Sequence, residues 1–327
     1  MAQDANYSAQ KLTRDGIEIV RLADIAGRTE LSIAPPIGNN AFEMKVNGRP
    51  ILVTPAGTLD EWKSKPVNCG IPFLAPWANR MDGDAYWANG KRFALNSEVI
   101  NLRRDANGLP IHGMLLFADA WRVVRLNQDA GCAEVTSRLE FWKHPEWMAQ
   151  FPFAHAIEMT HRLAGGVIEI RVAIENLSDE RMPLSIGFHP WYQIPGCERD
   201  RWTVHLPVRE HHELSSKMIP TGKTTPYDLP DPLPLAGRHF DDVFSGHDSG
   251  EEVWVEGDGR RITVRFGPKY PVAVFYAPQA RDAVAFEPMT GIIDAFNLAH
   301  EGVYCGLQSI AAGATWTESF WIRTTGF

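Results

Sequence analysis

The chain has 327 residues, 44% hydrophobic and 22% charged, an ordinary globular composition with room for one large or two average domains. A net charge of −8 argues against nucleic acid or an anionic membrane as the main partner, so a small ligand is expected. No apolar run approaches the roughly 20 residues of a bilayer span, and Cys69, Cys132, Cys197 and Cys305 lie far apart without metal-ligand spacing, so a soluble cytoplasmic protein with reduced thiols is expected.

The first fourteen residues are polar, lack the apolar core of a signal peptide, and read as a tail ahead of a domain over residues 15–327. Residues 17–22 form the first strand-like run. Residues 57–63 are the best helical candidate, and no stretch supports an amphipathic helix beyond about three turns. Between residues 71 and 83, an apolar stretch with two prolines delivers Asn79 and Arg80 to a turn before Gly83. The guanidinium there suits a hydroxyl or carboxylate of a ligand, or an ion pair with Asp82 or Asp84. Leu109-Pro110-Ile111-His112-Gly113 sets an imidazole beside a glycine that permits close backbone approach.

Residues 167–176 alternate polar and apolar side chains over much of their length, as a half-buried strand does. Ile186-Gly187-Phe188-His189-Pro190-Trp191-Tyr192 then places a titratable imidazole among aromatics, suited to donate a proton near neutral pH. In Phe240-Asp241-Asp242-Val243-Phe244, strand alternation turns only one of the two carboxylates toward any pocket. Residues 252–256 and 262–266 flank Gly257-Asp258-Gly259, a strong hairpin signal. Residues 272–276 form a further strand. The apolar run 283–286 ends on Glu287-Pro288-Met289-Thr290-Gly291. A glutamate at the end of a buried strand is either a turn-bonding residue or a general base whose pKa desolvation raises toward the working pH.

Short runs separated by turn residues, with no fixed repeat and no long linker, describe a single all-β domain built as a sandwich or barrel. Eleven tryptophans and sixteen phenylalanines exceed what such a core needs, and flat aromatic faces suit pyranose rings; Trp77, Trp191 and Phe296 are the candidates. The chain lacks a phosphate-binding loop, a Gly-x-Ser-x-Gly elbow and a dinucleotide fingerprint. His211 and His212 adjoin and point apart on a strand, while His144, His155, His161 and His205 lack partners at ligand spacing, so no metal site is expected.

Taken in order, the Pro76-Trp77-Ala78-Asn79-Arg80 stretch, Ile111-His112-Gly113, Gly187-Phe188-His189-Pro190, Phe240-Asp241-x-x-Phe244 and Phe286-Glu287-Pro288-Met289-Thr290 resemble the aldose 1-epimerase (galactose mutarotase) family. Phe151-Pro152-Phe153, Asn176, Asp294-Ala295-Phe296-Asn297 and the Ala312-Gly313 turn add to the likeness, which runs from about residue 15 to the end. The resemblance implies a large β-supersandwich and a cofactor-free isomerase that interconverts the α and β anomers of a free aldose such as glucose or galactose. On that model Glu287 is the general base, His189 the general acid, and Arg80, His112 and Asp241 hold the sugar, with Asn79 and Trp191 beside them. A one-residue slip would put Asp242 in place of Asp241. Burial and a nearby carboxylate are expected to raise the pKa of His189, and desolvation that of Glu287.

The alternatives are a mutarotase of hexose 6-phosphates or other sugar derivatives, for which Lys91, Arg92, Arg103 and Arg104 are the basic candidates, and a non-catalytic carbohydrate-binding protein on the same fold. A glycosidase, with two carboxylates about 5–9.5 Å apart, is a weaker reading. Oligomeric state is not fixed by the sequence.

Overall fold

Alternating side chains assemble into three large antiparallel sheets and two two-stranded ribbons in a computed structural model that describes residues 6–100 and 102–327. Residues 7–50 form a five-stranded meander whose neighbours are consecutive in sequence. A nine-stranded sheet carries the longest strands, with Val167–Asn176 paired between His155–Ala164 and Thr315–Thr325. Ile168, Ile170, Val172 and Ile174 point inward from that strand at every second position, as its alternation predicts. The hairpin of Glu252–Gly257 and Arg260–Phe266 turns through Asp258 and Gly259, both at positive φ (53° and 72°), the pattern of a tight two-residue connection.

The third sheet has seven strands in the order Pro220–Pro226, Glu210–Leu214, Phe240–Ser245, Val272–Ala277, Ala285–Met289, Gly187–Phe188, Phe73–Leu74. One face of its central strands sends Phe188, Phe244, Phe275 and Phe286 into the main core. The opposite face carries Val243, Val274 and Met289 into a smaller cluster with Leu74, Ala78, Ile292 and Ile293. Both faces are therefore covered at the centre of the sheet, and only the part of the second face beyond this small cluster remains for a ligand.

Helices are few and short. Leu59–Ser64 matches the helical segment expected near residues 57–63, and a capping box between Thr58 and Glu61 starts it while Leu59 and Trp62 anchor its buried side. One expectation fails. The polar segment read as an N-terminal tail is a strand from Tyr7 to Arg14, paired residue for residue with Ile17–Asp24. An edge strand needs backbone partners more than apolar side chains, so its polar composition hid it. Residues 1–5 of that segment lie outside the described residues. No helix among the described residues is long and apolar enough to cross a membrane.

Candidate active site

The register of the seven-stranded sheet builds the site. Gly187 pairs with Met289 across antiparallel strands, so two residues further along His189 falls opposite Glu287. On the other flank His189 N–H donates to the Pro72 carbonyl at 3.1 Å, which fixes its backbone. Glu287 also pairs with Val274, and Asp241 with Tyr276 one strand over. Because Val274 and Tyr276 are two residues apart, all four polar groups share one face. The His189 Nε2 and Glu287 Oε1 atoms stand 3.3 Å apart.

Two loops close over this face. Asn79 and His112 both adopt the left-handed conformation (φ 57° and 66°), and His112 N–H donates to the Asn79 carbonyl at 2.9 Å. Gly113 follows at φ 65°, where an added Cβ would lie 2.1 Å from the Ala75 carbonyl oxygen. All three positions need the left-handed region, which glycine, asparagine and histidine enter more readily than other residues, and such conformations concentrate at functional sites. Arg80 reaches in from the first loop. Its Nε donates to Asp105 at 2.7 Å, one Nη to Asp241 at 3.3 Å and the other to Asn79 at 3.2 Å.

The result is a cleft of about 610 Å³, within the range of small-molecule sites. Glu287, His189, Arg80, His112, Asp241, Asn79 and Trp191, the seven residues named for the site on the family resemblance, all line it. The choice between neighbouring aspartates resolves to Asp241, since Asp242 faces away and accepts from His211 at 2.8 Å. Trp191 stacks on His189 at 4.8 Å and 14°, while His112 meets the same imidazole edge-on at 5.6 Å. Trp77 is instead buried in the core, and Phe296 packs against Tyr86 and lines a separate, smaller groove. Of the basic residues considered, only Arg103 reaches the cleft; Lys91 pairs with Glu180 and Arg104 with Asp84, each at 2.8 Å. Arg80 pairs with neither Asp82 nor Asp84, which bind Lys217 and Arg104.

Asp105, Tyr276 and Arg281 were not singled out in the sequence. Asp105 had a signal in the turn sequence Asp105-Ala106-Asn107-Gly108, where an aspartate caps its own turn: Oδ1 accepts from the Asn107 and Leu109 amides at 2.9 Å each. Tyr276 was legible as a strand residue but not as the neighbour of Asp241.

Electrostatics set the pair apart. Burial pushes the Glu287 carboxyl well above the usual carboxylate range; Asp241 adds to this and Arg80 opposes it. Burial also holds the His189 imidazole down, to about 3, with Arg103 and Arg80 contributing in the same direction. The expected rise at His189 is thus reversed: burial disfavours the imidazolium, and the two arginines act in the same direction. Burial likewise lowers His112. Glu287 Oε2, His189 Nδ1, His112 Nδ1 and Trp191 Nε1 are buried and find no hydrogen-bond partner among the described residues. Buried polar atoms are normally satisfied, and four that are not meet at this one cleft.

Residues 34–323 match the family model described as aldose 1-epimerase. Among solved structures, the chain is similar to a galactose mutarotase-like protein from Clostridium acetobutylicum, with TM-score 0.86, 22% identity and 99% of each chain covered. A protein from Synechocystis gives a TM-score of 0.76 at 24% identity, covering 96% of this chain and 97% of that one. A galactose 1-epimerase from Lactobacillus acidophilus gives 0.74 at 12% identity, covering 98% and 99%.

Proposed function

Because the chain belongs to the aldose 1-epimerase family, we propose that it interconverts the α and β anomers of a free aldose such as glucose or galactose by acid–base ring opening and reclosure. The observation that carries this reading is the buried pair of Glu287 and His189, 3.3 Å apart on one sheet face with an unpartnered atom on each. Ring opening needs a base at the anomeric hydroxyl and an acid at the ring oxygen of the same hemiacetal, and no other co-reactant.

Proton counting links the pair to the chemistry. With Glu287 as carboxylate and His189 as imidazolium, the glutamate takes the anomeric hydroxyl proton. The C1 to ring-oxygen bond then breaks, and His189 protonates the ring oxygen. The enzyme is left with a neutral carboxylic acid and a neutral imidazole beside the open-chain aldehyde, the state that burial favours for both groups. Rotation about the bond next to the carbonyl presents the other face. Reclosure returns both protons along the same path and gives the other anomer. Arg80, His112 and Asp241 orient the sugar hydroxyls and ring oxygen, and Asn79 and Trp191 support them. Four unpaired thiols, with Cys305 exposed, suit a reducing cytoplasm.

Each proton-transfer group contributes typically 10²–10⁴-fold. Glu287→Gln and His189→Asn are each expected to reduce the acceleration of α-glucose and α-galactose mutarotation by about that factor, measured by polarimetry. Full activity in either variant would overturn the assignment of that residue, and no acceleration of any aldose by the native protein would overturn the enzymatic reading itself.

A further inference from the structure

The two small ribbons outside the large sheets frame a second groove that shares no lining residue with the cleft. One wall is the hairpin of Ala85–Ala88 and Lys91–Ala94, which turns through Asn89 and Gly90 at φ 50° and 73°. Another is the ribbon of Met182–Leu184 with Gln308–Ile310, where Pro183 pairs with Ser309. The helix Ala295–His300 completes the groove with Phe296 and His300. Phe296, one of the aromatics expected to face a sugar, is only 2% exposed and packs on Tyr86 and Phe151, so it serves as floor. The accessible rings are Trp87 and His300, stacked at 3.9 Å and 8° between hairpin and helix.

Hydrogen-bonding capacity around these rings is only partly used. Neither the Trp87 indole N–H nor the His300 ring nitrogens find a partner among the described residues. Asn89 donates to Glu180 at 3.3 Å and to the Arg181 carbonyl at 2.8 Å, and its own carbonyl oxygen stays free. Ser309 Oγ accepts from Arg181 at 3.1 Å and keeps its hydrogen. Donors and acceptors therefore surround aromatic rings, with Pro183 and Leu307 as apolar surface. A purely apolar ligand would leave those groups unpaired, whereas a pyranose matches C–H faces to rings and hydroxyls to their polar edges. At about 260 Å³ the groove is slightly smaller than drug-sized sites, room for one sugar ring.

The walls are also tied to the cleft. Asn297 donates to the Ala85 carbonyl at 3.2 Å and the Asp294 amide to the Arg80 carbonyl at 3.1 Å, so the helix bridges the hairpin and the Arg80 loop. Gln308 donates to the Thr290 carbonyl at 2.9 Å, three residues beyond Glu287. A ligand that draws hairpin, ribbon and helix together thus acts on the backbone beside both Arg80 and Glu287.

We propose that this groove is a second, non-catalytic monosaccharide site whose occupancy changes sugar affinity at the cleft. It does not rest on the mutarotase reading, and its test needs no turnover.

The indole N–H resonances of Trp87 and Trp191 report on groove and cleft separately, each assigned by its disappearance in Trp87→Phe or Trp191→Phe. The protein is titrated with anomerically equilibrated glucose and galactose and followed by heteronuclear NMR. At least one sugar is expected to shift the Trp87 resonance. That shift should persist in Asp241→Ala, which removes a cleft group, and weaken about tenfold in affinity in His300→Ala, where an exposed side chain is lost and the core is spared. The Trp191 curve of the native protein should depart from a single hyperbola, with cleft affinity differing about fivefold between empty and filled groove, and become hyperbolic in His300→Ala. A Trp87 resonance that neither sugar moves, or whose shift is lost in Asp241→Ala and kept in His300→Ala, overturns the site. A native Trp191 curve that is flat or hyperbolic overturns the coupling. Titration of both indoles in a protein that accelerates no sugar would support the groove while overturning the mutarotase reading.

Discussion

Asp105 makes no approach to a reacting atom, yet it governs one that does. Its carboxylate holds Arg80 at 2.7 Å while its other oxygen closes the turn to Leu109, so one side chain fixes both the guanidinium and the loop that carries His112. Burial works against this carboxylate, but Arg80 and the two amides outweigh it and keep its pKa below the ordinary value. Asp105→Asn preserves the turn and removes the charge. It is expected to lower kcat/KM about ten- to a hundredfold, the range of a charge-assisted hydrogen bond, with Asp105→Glu recovering part of the loss. Unchanged kinetics in Asp105→Asn would show that Arg80 needs no such support. The proposed catalytic pair sets the expected pH response at the same scale. It works with one shared proton: His189, lowered to about 3, must not be cationic beside a neutral Glu287, and Glu287, raised well above 4.5, must not be ionised beside a neutral His189. The pH–rate profile should therefore have its acid limb below the ordinary imidazole range and its alkaline limb above the ordinary carboxylate range. An acid limb at or above pH 6.5, or an alkaline limb at or below pH 4.5, would contradict the pair. The identities of Glu287, His189, Arg80 and His112 were legible in the sequence because each stands in a short motif of restricted composition. Arg281 was not, since nothing in Gln279-Ala280-Arg281-Asp282 distinguishes it from a surface loop.

At the scale of elements, the site depends on how two loops lock together. Asp294 sits at φ 58° before the short helix Ala295–His300; its side chain accepts from the Asp82 amide at 3.1 Å and Asn297 at 2.8 Å, and its own amide donates to the Arg80 carbonyl at 3.1 Å. Burial raises its pKa to about 7 despite those donors. A folded-state pKa above the unfolded value near 3.8 means stability that is full below pH 3.8 and lost as pH rises to about 7. Relative to Asp294→Asn, the native protein should lose on the order of 4 kcal/mol of unfolding free energy across that window, about three pKa units at 1.4 kcal/mol each. Denaturant titrations at pH 4 and pH 8 check this, and parallel curves for the two proteins would refute it. The strands themselves were readable where alternation or a turn pair marked them, as in residues 167–176 and the hairpin at Asp258-Gly259. The pairing of Gly187 with Met289 was not, because register between segments so distant in sequence is decided by packing of the whole sheet.

For the molecule as a whole, the strand that was hidden by its polarity joins two sheets. Tyr7 hydroxyl accepts from the Gly165 amide at 2.9 Å, and the Ala9 amide donates to Gln128 at 2.7 Å, so Tyr7–Arg14 links the five-stranded meander to the far edge of the nine-stranded sheet. Deleting residues 1–14 would leave the cleft residues in place and expose the flank of Ile17–Asp24. The expected outcome is a thermal midpoint lower by several degrees, with mutarotation at low temperature retained. A midpoint within a degree of the full chain would mean that the strand adds little. Composition and strand spacing were enough to read an all-β domain, whereas the division into separate sheets was not, since it depends on which long-range partners each edge finds.

The seven-stranded sheet writes cleft and packing on opposite sides of the same few residues: Phe286 enters the core, Glu287 the cleft. The site is consequently encoded by odd and even position. Gaining or losing one residue within Ala285–Met289 would exchange a carboxyl for an aromatic ring at the cleft floor while sending the charge into the core. A change of two restores the frame. Duplications and deletions in this segment are thus sorted by parity before any question of side-chain chemistry arises.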